Sequence, residues 1–468
     1  MPSFGIIICN ILNIFMFIYQ RGATIAAIAT ASGEGAIAVI RISGPSALDV
    51  AERVFSGPVK EYKTHTAHTG QILDGKGAVI DHVLLIPFRA PRSYTGEEVI
   101  EINCHGGSLI ARKILERILE CGARMAYPGE FTFQAFVNGK LDLAQAEAVQ
   151  QLIGSKNELA RTSANRQLEG ALSKAISSFQ KELTHNAAIL EAWVDFPEEG
   201  LEFTSLEEIL ENLEETLKRM RKLASTFEEG KAIHSGLSLC MVGSPNVGKS
   251  SLMNALLGFE RAIVTEIAGT TRDLLEESLR FGSLHFRLID TAGIRATEER
   301  IEQEGIRRSE KAMQEADLIL LLLDASRPLN DGDRALLASA PRDKTLLVWN
   351  KIDLSQPVEE IEWEHTVRLS AKENLGMDAL RSALEKMIWK NGPPSKEETI
   401  LSSVRHFEAL TVSIQCLESV IDGLHKNISP EFVSFEMRSC LHHLGSIIGT
   451  NVSEDILNSI FSQFCLGK

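Results

Sequence analysis

The chain has 468 residues, 44% of them hydrophobic and 24% charged, with a formal net charge of −15. This is an ordinary globular balance, and at roughly 100–200 residues per domain the length suggests about three domains, large enough to bury their cores without disulfide staples. The acidic surplus argues against strong unaided binding to nucleic acid, since neutralising phosphates needs a basic surface; a polyanion would be handled through a local patch or a second, more basic protein.

The seven cysteines, Cys9, Cys104, Cys121, Cys240, Cys416, Cys440 and Cys465, form no CxxC pair and no zinc-like spacing with histidine. They predict a reduced, cytoplasmic protein with small buried thiols, Cys465 excepted. The first stretch, Phe4 to Tyr19, is almost wholly apolar but is broken by Asn10 and Asn13. It is short for a membrane span of about 20 residues and lacks a signal peptide's basic start and cleavage site. Residues 1–21 therefore read as an extension outside the fold, disordered or arising from a start placed too far upstream, with a membrane anchor as the minor alternative.

Residues 22–138 are β-rich. The runs Ala36–Ile42 and Val83–Phe88 are short, apolar and bounded by Gly and Pro, and a helix is expected from Ser108 to Cys121. From 139 to 232 the spacing turns helical: Leu141, Ala144, Ala148 and Val149 start one helix, and Leu206, Ile209, Leu213 and Leu217 mark another. The basic residues Lys218, Arg219, Arg221 and Lys222 there read as a solvated helix face. Residues 233–392 alternate apolar strands (Leu237–Val242, Leu284–Ile289, Leu318–Leu323, Thr345–Val348, Val367–Leu369) with helices, the pattern of a mostly parallel sheet. Asn391-Gly392-Pro393-Pro394 is a linker, and 393–468 is helical again. The fold class is multidomain α+β: a β-rich N-terminal domain, then a helical domain into which an α/β domain is inserted.

Gly243-Ser244-Pro245-Asn246-Val247-Gly248-Lys249-Ser250 fits GxxxxGK[ST], follows an apolar strand and opens a helix predicted from Ser251 to Leu257. Such a loop turns backbone N–H groups and a helix N-terminus toward a β-phosphate, with Lys249 on the β- and γ-phosphates and the Ser250 hydroxyl on Mg²⁺. Asp290-Thr291-Ala292-Gly293 ends a second strand, where an acid suits the magnesium shell and the glycine amide senses the γ-phosphate. Between them, Thr265-Glu266-Ile267-Ala268-Gly269-Thr270-Thr271-Arg272-Asp273 has the character of a switch loop, and Thr271 is the expected magnesium ligand. Asn350-Lys351-Ile352-Asp353 follows the fourth strand; the Asp353 carboxylate can accept from guanine N1–H and its exocyclic amine, a pair adenine lacks. Ser370-Ala371-Lys372 suits a loop closing over the base. In this order the motifs predict GTP binding.

Ile294 stands where many regulatory GTPases carry a water-orienting glutamine, so another acid has to act. Glu298, Glu299, Glu302 and Glu304 all follow, and spacing does not choose among them. Arg272 and Arg295 are candidate arginine fingers, but a bound monovalent cation could supply the charge, with the Asn246 side-chain carbonyl beside the phosphates.

These motifs, with Ile40–Pro45, Ser93-Tyr94-Thr95-Gly96-Glu97-Glu98, Pro128-Gly129-Glu130-Phe131, Lys140–Glu147 and the chain end Phe464-Cys465-Leu466-Gly467-Lys468, resemble the tRNA-modification GTPase family MnmE, also called TrmE. The resemblance runs from about Thr24 to Lys468. Leu466 departs from the family's usual Cys-Ile-Gly-Lys ending, and the extension before Gly22 has no family counterpart. The resemblance implies a folate-binding and dimerising domain over 22–138, a helical domain split between 139–232 and 393–468, and a GTPase domain over 233–392. It implies modification of carbon 5 of the wobble uridine of certain tRNAs, jointly with the FAD protein MnmG in a heterotetramer. The one-carbon unit would come from a tetrahydrofolate derivative (5-formyl-tetrahydrofolate being an analogue), and GTP hydrolysis would be potassium-dependent. Most tRNA contact would come through the complex, and no membrane is expected.

Carried over by motif, Arg41, Glu101, Lys140 and Lys468 would contact folate. Asn246, Thr265, Ile267 and Thr270 would hold potassium, Ser250 and Thr271 magnesium, and Glu302 would be the catalytic acid. Arg41 lies between Ile40 and Ile42 on a strand, so it points away from them and its guanidinium can pair bidentately. Cys465 could be a nucleophile or substrate-proximal thiol, or could only pack; a chemical role requires a lowered thiol pKa. The competing reading is a regulatory GTPase for ribosome assembly or signalling, but no basic RNA module of the KH type accompanies these motifs.

Overall fold

The computed structural model describes residues 19, 22–31, 33–195, 205–259, 278–281, 284–289, 311–389, 398–426 and 428–468. Strands β1 (Ile25–Ile28), β2 (Ile37–Ser43), β3 (His68–Leu73), β4 (Val79–Phe88), β5 (Val99–His105) and β6 (Arg124–Met125) make a six-stranded sheet in the order β3-β4-β5-β2-β1-β6. Side chains alternate across it. Ile40 and Ile42 of β2 face α1 (Ala47–Val54) and α2 (Ser108–Glu120), packing with Val50, Val54, Ile114 and Ile118. Arg41 takes the opposite face, in register with Glu101 of β5.

After α3 (Glu130–Val137) the chain is helical: α4 (Leu143–Ile153), α5 (Glu158–Leu168), α6 (Ala171–Asp195), α7 (Leu206–Ser225) and α8 (Phe227–Ser235). α4 begins two residues past the expected Leu141 because Asp142 caps it. The Asp142 carboxylate accepts from Gln145 N at 2.8 Å and Gln145 Oε1 accepts from Asp142 N at 3.0 Å, a capping box. Ile209, Leu213 and Leu217 of α7 are buried as their spacing predicts. The basic residues of the same helix are met by acids: Arg219 by Glu182, Arg221 by Glu418 and Lys218 by Glu215.

The second sheet comprises β7 (Leu237–Val242), β8 (Ser278–Phe281), β9 (Leu284–Ile289), β10 (Leu318–Asp324), β11 (Thr345–Asn350) and β12 (Thr366–Arg368), in the order β12-β11-β10-β7-β9-β8. All pairings are parallel except the β8–β9 hairpin. Its central strands β10 and β11 are apolar on both faces because both faces are covered. Leu320, Leu322, Leu346 and Val348 pack on one side, Ile319, Leu321, Leu323 and Leu347 on the other. α9 (Lys249–Phe259), α10 (Asp331–Ser339) and α11 (Met377–Ile388) belong to this layer.

The chain then returns to the helices. The Leu401 N–H donates to Thr226 Oγ1 at 3.0 Å, so the segment returning from the parallel sheet lies against the one that led into it. α12 (Val404–His425) and α13 (Pro430–Ile448) complete one core with α6 and α7, built from Leu183, Leu213, Leu417, Met437 and Leu444. α14 (Glu454–Phe461) carries the chain back toward α3 and α4, where Phe461 and Phe464 pack with Phe133 and Leu143.

Tyr19 differs from the expectation for residues 1–21. Its ring is 3% exposed, stacks on Phe133 with centroids 4.8 Å apart, and its hydroxyl donates to Pro128 O at 2.9 Å. The physical reason is area: an aromatic ring beside an aromatic cluster gains by burial. The remaining residues of 1–21 before Gly22 lie outside the described residues. Among the described residues, no helix is long and apolar enough to cross a membrane. Cys104, Cys121, Cys240, Cys416 and Cys440 are buried thiols, as expected; Cys465 is exposed, and Cys9 lies outside the described residues.

Candidate functional site

The phosphate loop springs from the end of β7 and runs into α9. Val247 is fully buried and anchors it, while Asn246, Ser250 and Ser251 are exposed. Gly248 has φ +99, and a Cβ there would sit 2.2 Å from Asn350 Nδ2, so only glycine lets the base loop approach this closely. Asn246 adopts φ 61, a left-handed conformation that asparagine tolerates. The Lys249 ammonium folds back over the loop, donating to Gly243 O at 2.7 Å and Ser244 O at 3.0 Å. Burial pulls its pKa below the ordinary lysine value.

The base loop follows β11. Asn350 is 2% exposed; its amide donates to Val247 O at 2.8 Å and its carbonyl accepts from Ala371 N at 3.0 Å. One asparagine thus joins the phosphate loop, the base loop and the Ser370–Lys372 segment. Lys351 has φ 67 and donates to Asp324 Oδ2 at 2.6 Å. Asp353 and Lys372 are exposed, and the Ser370 hydroxyl accepts from Glu373 N at 3.2 Å. Of the expected nucleotide contacts among the described residues, Asn246, Ser250, Ser251, Asp353 and Lys372 are thus the exposed ones.

Asp324 and Asp333 were not among the residues expected from sequence. Asp324 ends β10; burial raises its pKa, but Lys351 and the Ser326 hydroxyl and amide outweigh that and hold it below the ordinary carboxylate value. Asp333 is 1% exposed in the first turn of α10 and accepts from Ser244 Oγ at 2.6 Å. A signal existed: Asn330 and Asp333 have capping-box spacing and form that box.

Thr265, Glu266, Ile267, Ala268, Gly269, Thr270 and Thr271 lie outside the described residues. So do Asp290, Thr291, Ala292, Gly293 and Glu302.

A second polar cluster forms on the open face of the N-terminal sheet. Arg41 donates through Nε to Glu101 Oε1 at 2.9 Å, pairs with it again through Nη2 at 2.7 Å, and donates through Nη1 to Gly467 O at 3.2 Å. Its guanidinium lies 5.6 Å from the Tyr94 and Phe131 ring centroids. Gly467 has φ +87, and a Cβ there would meet Ala29 Cα at 2.7 Å, so glycine is needed where the chain end lies on the strand edge. Lys468 is drawn in too: burial, then the Arg41 charge, lowers its pKa, while Glu101 and Cys465 oppose the shift. Nearby, burial raises the pKa of Glu97, with Ser43 Oγ donating to it at 3.1 Å. Arg41, Glu101, Lys468 and Cys465 are thus brought together from opposite ends of the sequence. Lys140 engages another part of the region, its ammonium donating to Pro91 O at 3.1 Å.

A glycine-bearing loop between a parallel strand and a helix, joined to an Asn-Lys-x-Asp loop by a buried asparagine, defines a P-loop GTPase domain. The flanking regions identify it further. Residues 24–140 match the model of the GTP-binding protein TrmE N-terminus, and residues 143–465 match that of the MnmE helical domain. The chain is 57% identical over 451 residues to the tRNA modification GTPase MnmE of Protochlamydia amoebophila, covering 96% of this chain and 98% of that one. It is 41% identical to the same-named proteins of Clostridioides difficile (95% of this chain, 99% of that one) and Chlamydia trachomatis serovar L2 (96% and 100%). The chain belongs to the MnmE (TrmE) family.

Proposed function

We propose that this GTP hydrolase of tRNA modification acts with a flavin-dependent partner of the MnmG type and modifies carbon 5 of the wobble uridine of certain tRNAs using a tetrahydrofolate one-carbon unit. The observation that carries the finer part of this reading is the cluster of Arg41, Glu101, Gly467 and Lys468, with Cys465 exposed beside it. Its donor set fits a folate: a planar guanidinium and an ammonium suit carboxylates, and Glu101 suits the donors of a pterin edge. The folate would supply the transferable carbon; Arg41 and Lys468 would bind and orient it, and Arg41 would hold the Glu101 side chain in place.

For GTP, the loop amides and Lys249 would neutralise the phosphates, and Asp353 would read the guanine edge. Ser250 would hold magnesium with Thr271. Asn246 would hold potassium with Thr265, Ile267 and Thr270, placing a positive charge beside the phosphates. Glu302 would position the attacking water. The protein would act as a homodimer with the MnmG-type partner and would contact tRNA mainly through that complex, a reading supported by the net charge of −15, which fits a partner that supplies the basic surface.

Two measurements test the reading. Calorimetry with 5-formyl-tetrahydrofolate should show binding, and no heat would remove the folate assignment. Steady-state GTP hydrolysis should be faster in KCl than in NaCl at equal ionic strength; equal rates would remove potassium.

A further inference from the structure

We propose that Asp333 is a positioning residue for the phosphate loop, acting through Ser244, and that it ties that loop to the base loop by a second route besides Asn350. The inference rests on the reading of residues 243–250 as the nucleotide cradle.

The Ser244 hydroxyl has one proton and two acceptors in reach: Asp333 Oδ1 at 2.6 Å and Asn330 Oδ1 at 3.3 Å. The short bond to the carboxylate takes the proton. The peptide carbonyl of the same serine accepts from Lys249 Nζ at 3.0 Å. Where Asp333 holds Ser244, it therefore also sets where the Lys249 ammonium sits. Ser244 is 6% exposed and Asp333 is 1% exposed, so this bond is shielded from competing water.

The other carboxylate oxygen of Asp333 meets the segment that follows β10. Oδ2 accepts from Arg327 Nη1 at 2.8 Å and from Asn330 N at 3.1 Å. Arg327 Nε lies 4.0 Å from Asp324 Oδ2, the oxygen that takes the Lys351 ammonium at 2.6 Å. The path Lys249–Ser244–Asp333–Arg327–Asp324–Lys351 thus joins the two lysines of the site by hydrogen bonds and one longer ion pair, Arg327–Asp324 at 4.0 Å. Asp333 also closes the cap of α10, so a purely structural role is the alternative to be separated.

Ser244→Ala cuts the tether and leaves the cap of α10 intact. In the full chain it is expected to weaken GDP binding about tenfold, the size of one charge-assisted hydrogen bond. It is also expected to lower kcat for GTP, while the melting temperature stays near that of the parent. Asp333→Asn should give a similar loss. The double variant should lose no more than about twofold beyond the worse single variant, because both break one link. Wild-type GDP affinity and turnover in Ser244→Ala would overturn the inference, as would additive losses in the double variant. Should Asp333→Asn fail to fold, Ser244→Ala alone decides. A parent chain that binds no GDP would sink the nucleotide reading itself and this inference with it; a parent that binds, with an unaffected Ser244→Ala, sinks only the inference.

Discussion

Asp353 illustrates how much of the site one carboxylate carries. It is exposed at the end of the base loop, three residues past the buried Asn350, and in the proposed role it would accept two donors that only guanine offers together. Asp353→Asn replaces an acceptor pair with one acceptor and one donor. GTP kcat/KM should fall by up to about 10⁴-fold, and xanthosine triphosphate, whose 2-oxo group accepts a hydrogen bond, should become the better substrate. Parallel kinetics with both nucleotides check this; an unchanged preference for GTP would remove Asp353 from base recognition. Arg41 is a second instance. Its direction away from Ile40 and Ile42 was legible from strand alternation, and the structure adds what it meets: Glu101 and the Gly467 carbonyl. Arg41→Lys keeps the charge but loses the planar fork, so 5-formyl-tetrahydrofolate binding should weaken by about tenfold in calorimetry.

Among the elements, α4 and α12 meet through a buried charge cluster that no periodicity announces. Glu147 of α4 accepts from Arg405 Nε at 2.8 Å and pairs with His406 Nε2 at 2.8 Å, while Arg405 also donates to Ser446 O at 2.6 Å and Ile447 O at 3.0 Å near the end of α13. Burial alone would raise the Glu147 pKa, but His406 and Arg405 outweigh it and bring it down to about 2. This carboxylate thus ties α4 to α12 and, through Arg405, to the end of α13. Glu147→Gln leaves Arg405 and His406 facing a neutral amide in a buried place. That should cost about 3 kcal/mol in denaturant unfolding, toward the low end for a broken buried pair because the amide still accepts a hydrogen bond. A loss no larger than that of a surface substitution, about 0.5 kcal/mol, would show the cluster to be dispensable.

For the whole molecule, acid stability follows from groups that sit where the helices meet the parallel sheet. His234 near the end of α8 and His285 in β9 are each held down to about 4, His234 by burial and His285 by burial and then the Lys156 charge. Both imidazoles are neutral in the fold, whereas the unfolded chain takes up these protons as pH falls through about 6.5. Stability is therefore complete above pH 6.5 and declines as pH falls toward 4. Glu147 adds to the decline at lower pH: its contribution is present above 4.5 and is lost as pH falls toward 2. Melting temperatures across this range should drop steadily, and His285→Leu should flatten the upper part of the drop. A profile flat from pH 6.5 to pH 4 would mean the imidazoles are not shielded.

The sequence by itself determined those features whose causes are local. A glycine-bearing loop between an apolar strand and a helix reads as a phosphate cradle because backbone geometry requires those residues in that order. Apolar runs such as Leu318–Leu323 read as buried parallel strands, and the 3.6-residue spacing of Leu206, Ile209, Leu213 and Leu217 as a helix face. Tertiary structure alone decided which distant groups meet. Gly467 lies against Ala29, just past the end of β1, and accepts from Arg41 of β2, Tyr19 packs against Phe133 and Phe461, and Asp333 reaches Ser244. The physical reason is that a hydrogen bond or an ion pair depends on the few ångströms between two groups. Local pattern shows which face of an element a side chain takes, but only the packing of elements sets what stands opposite.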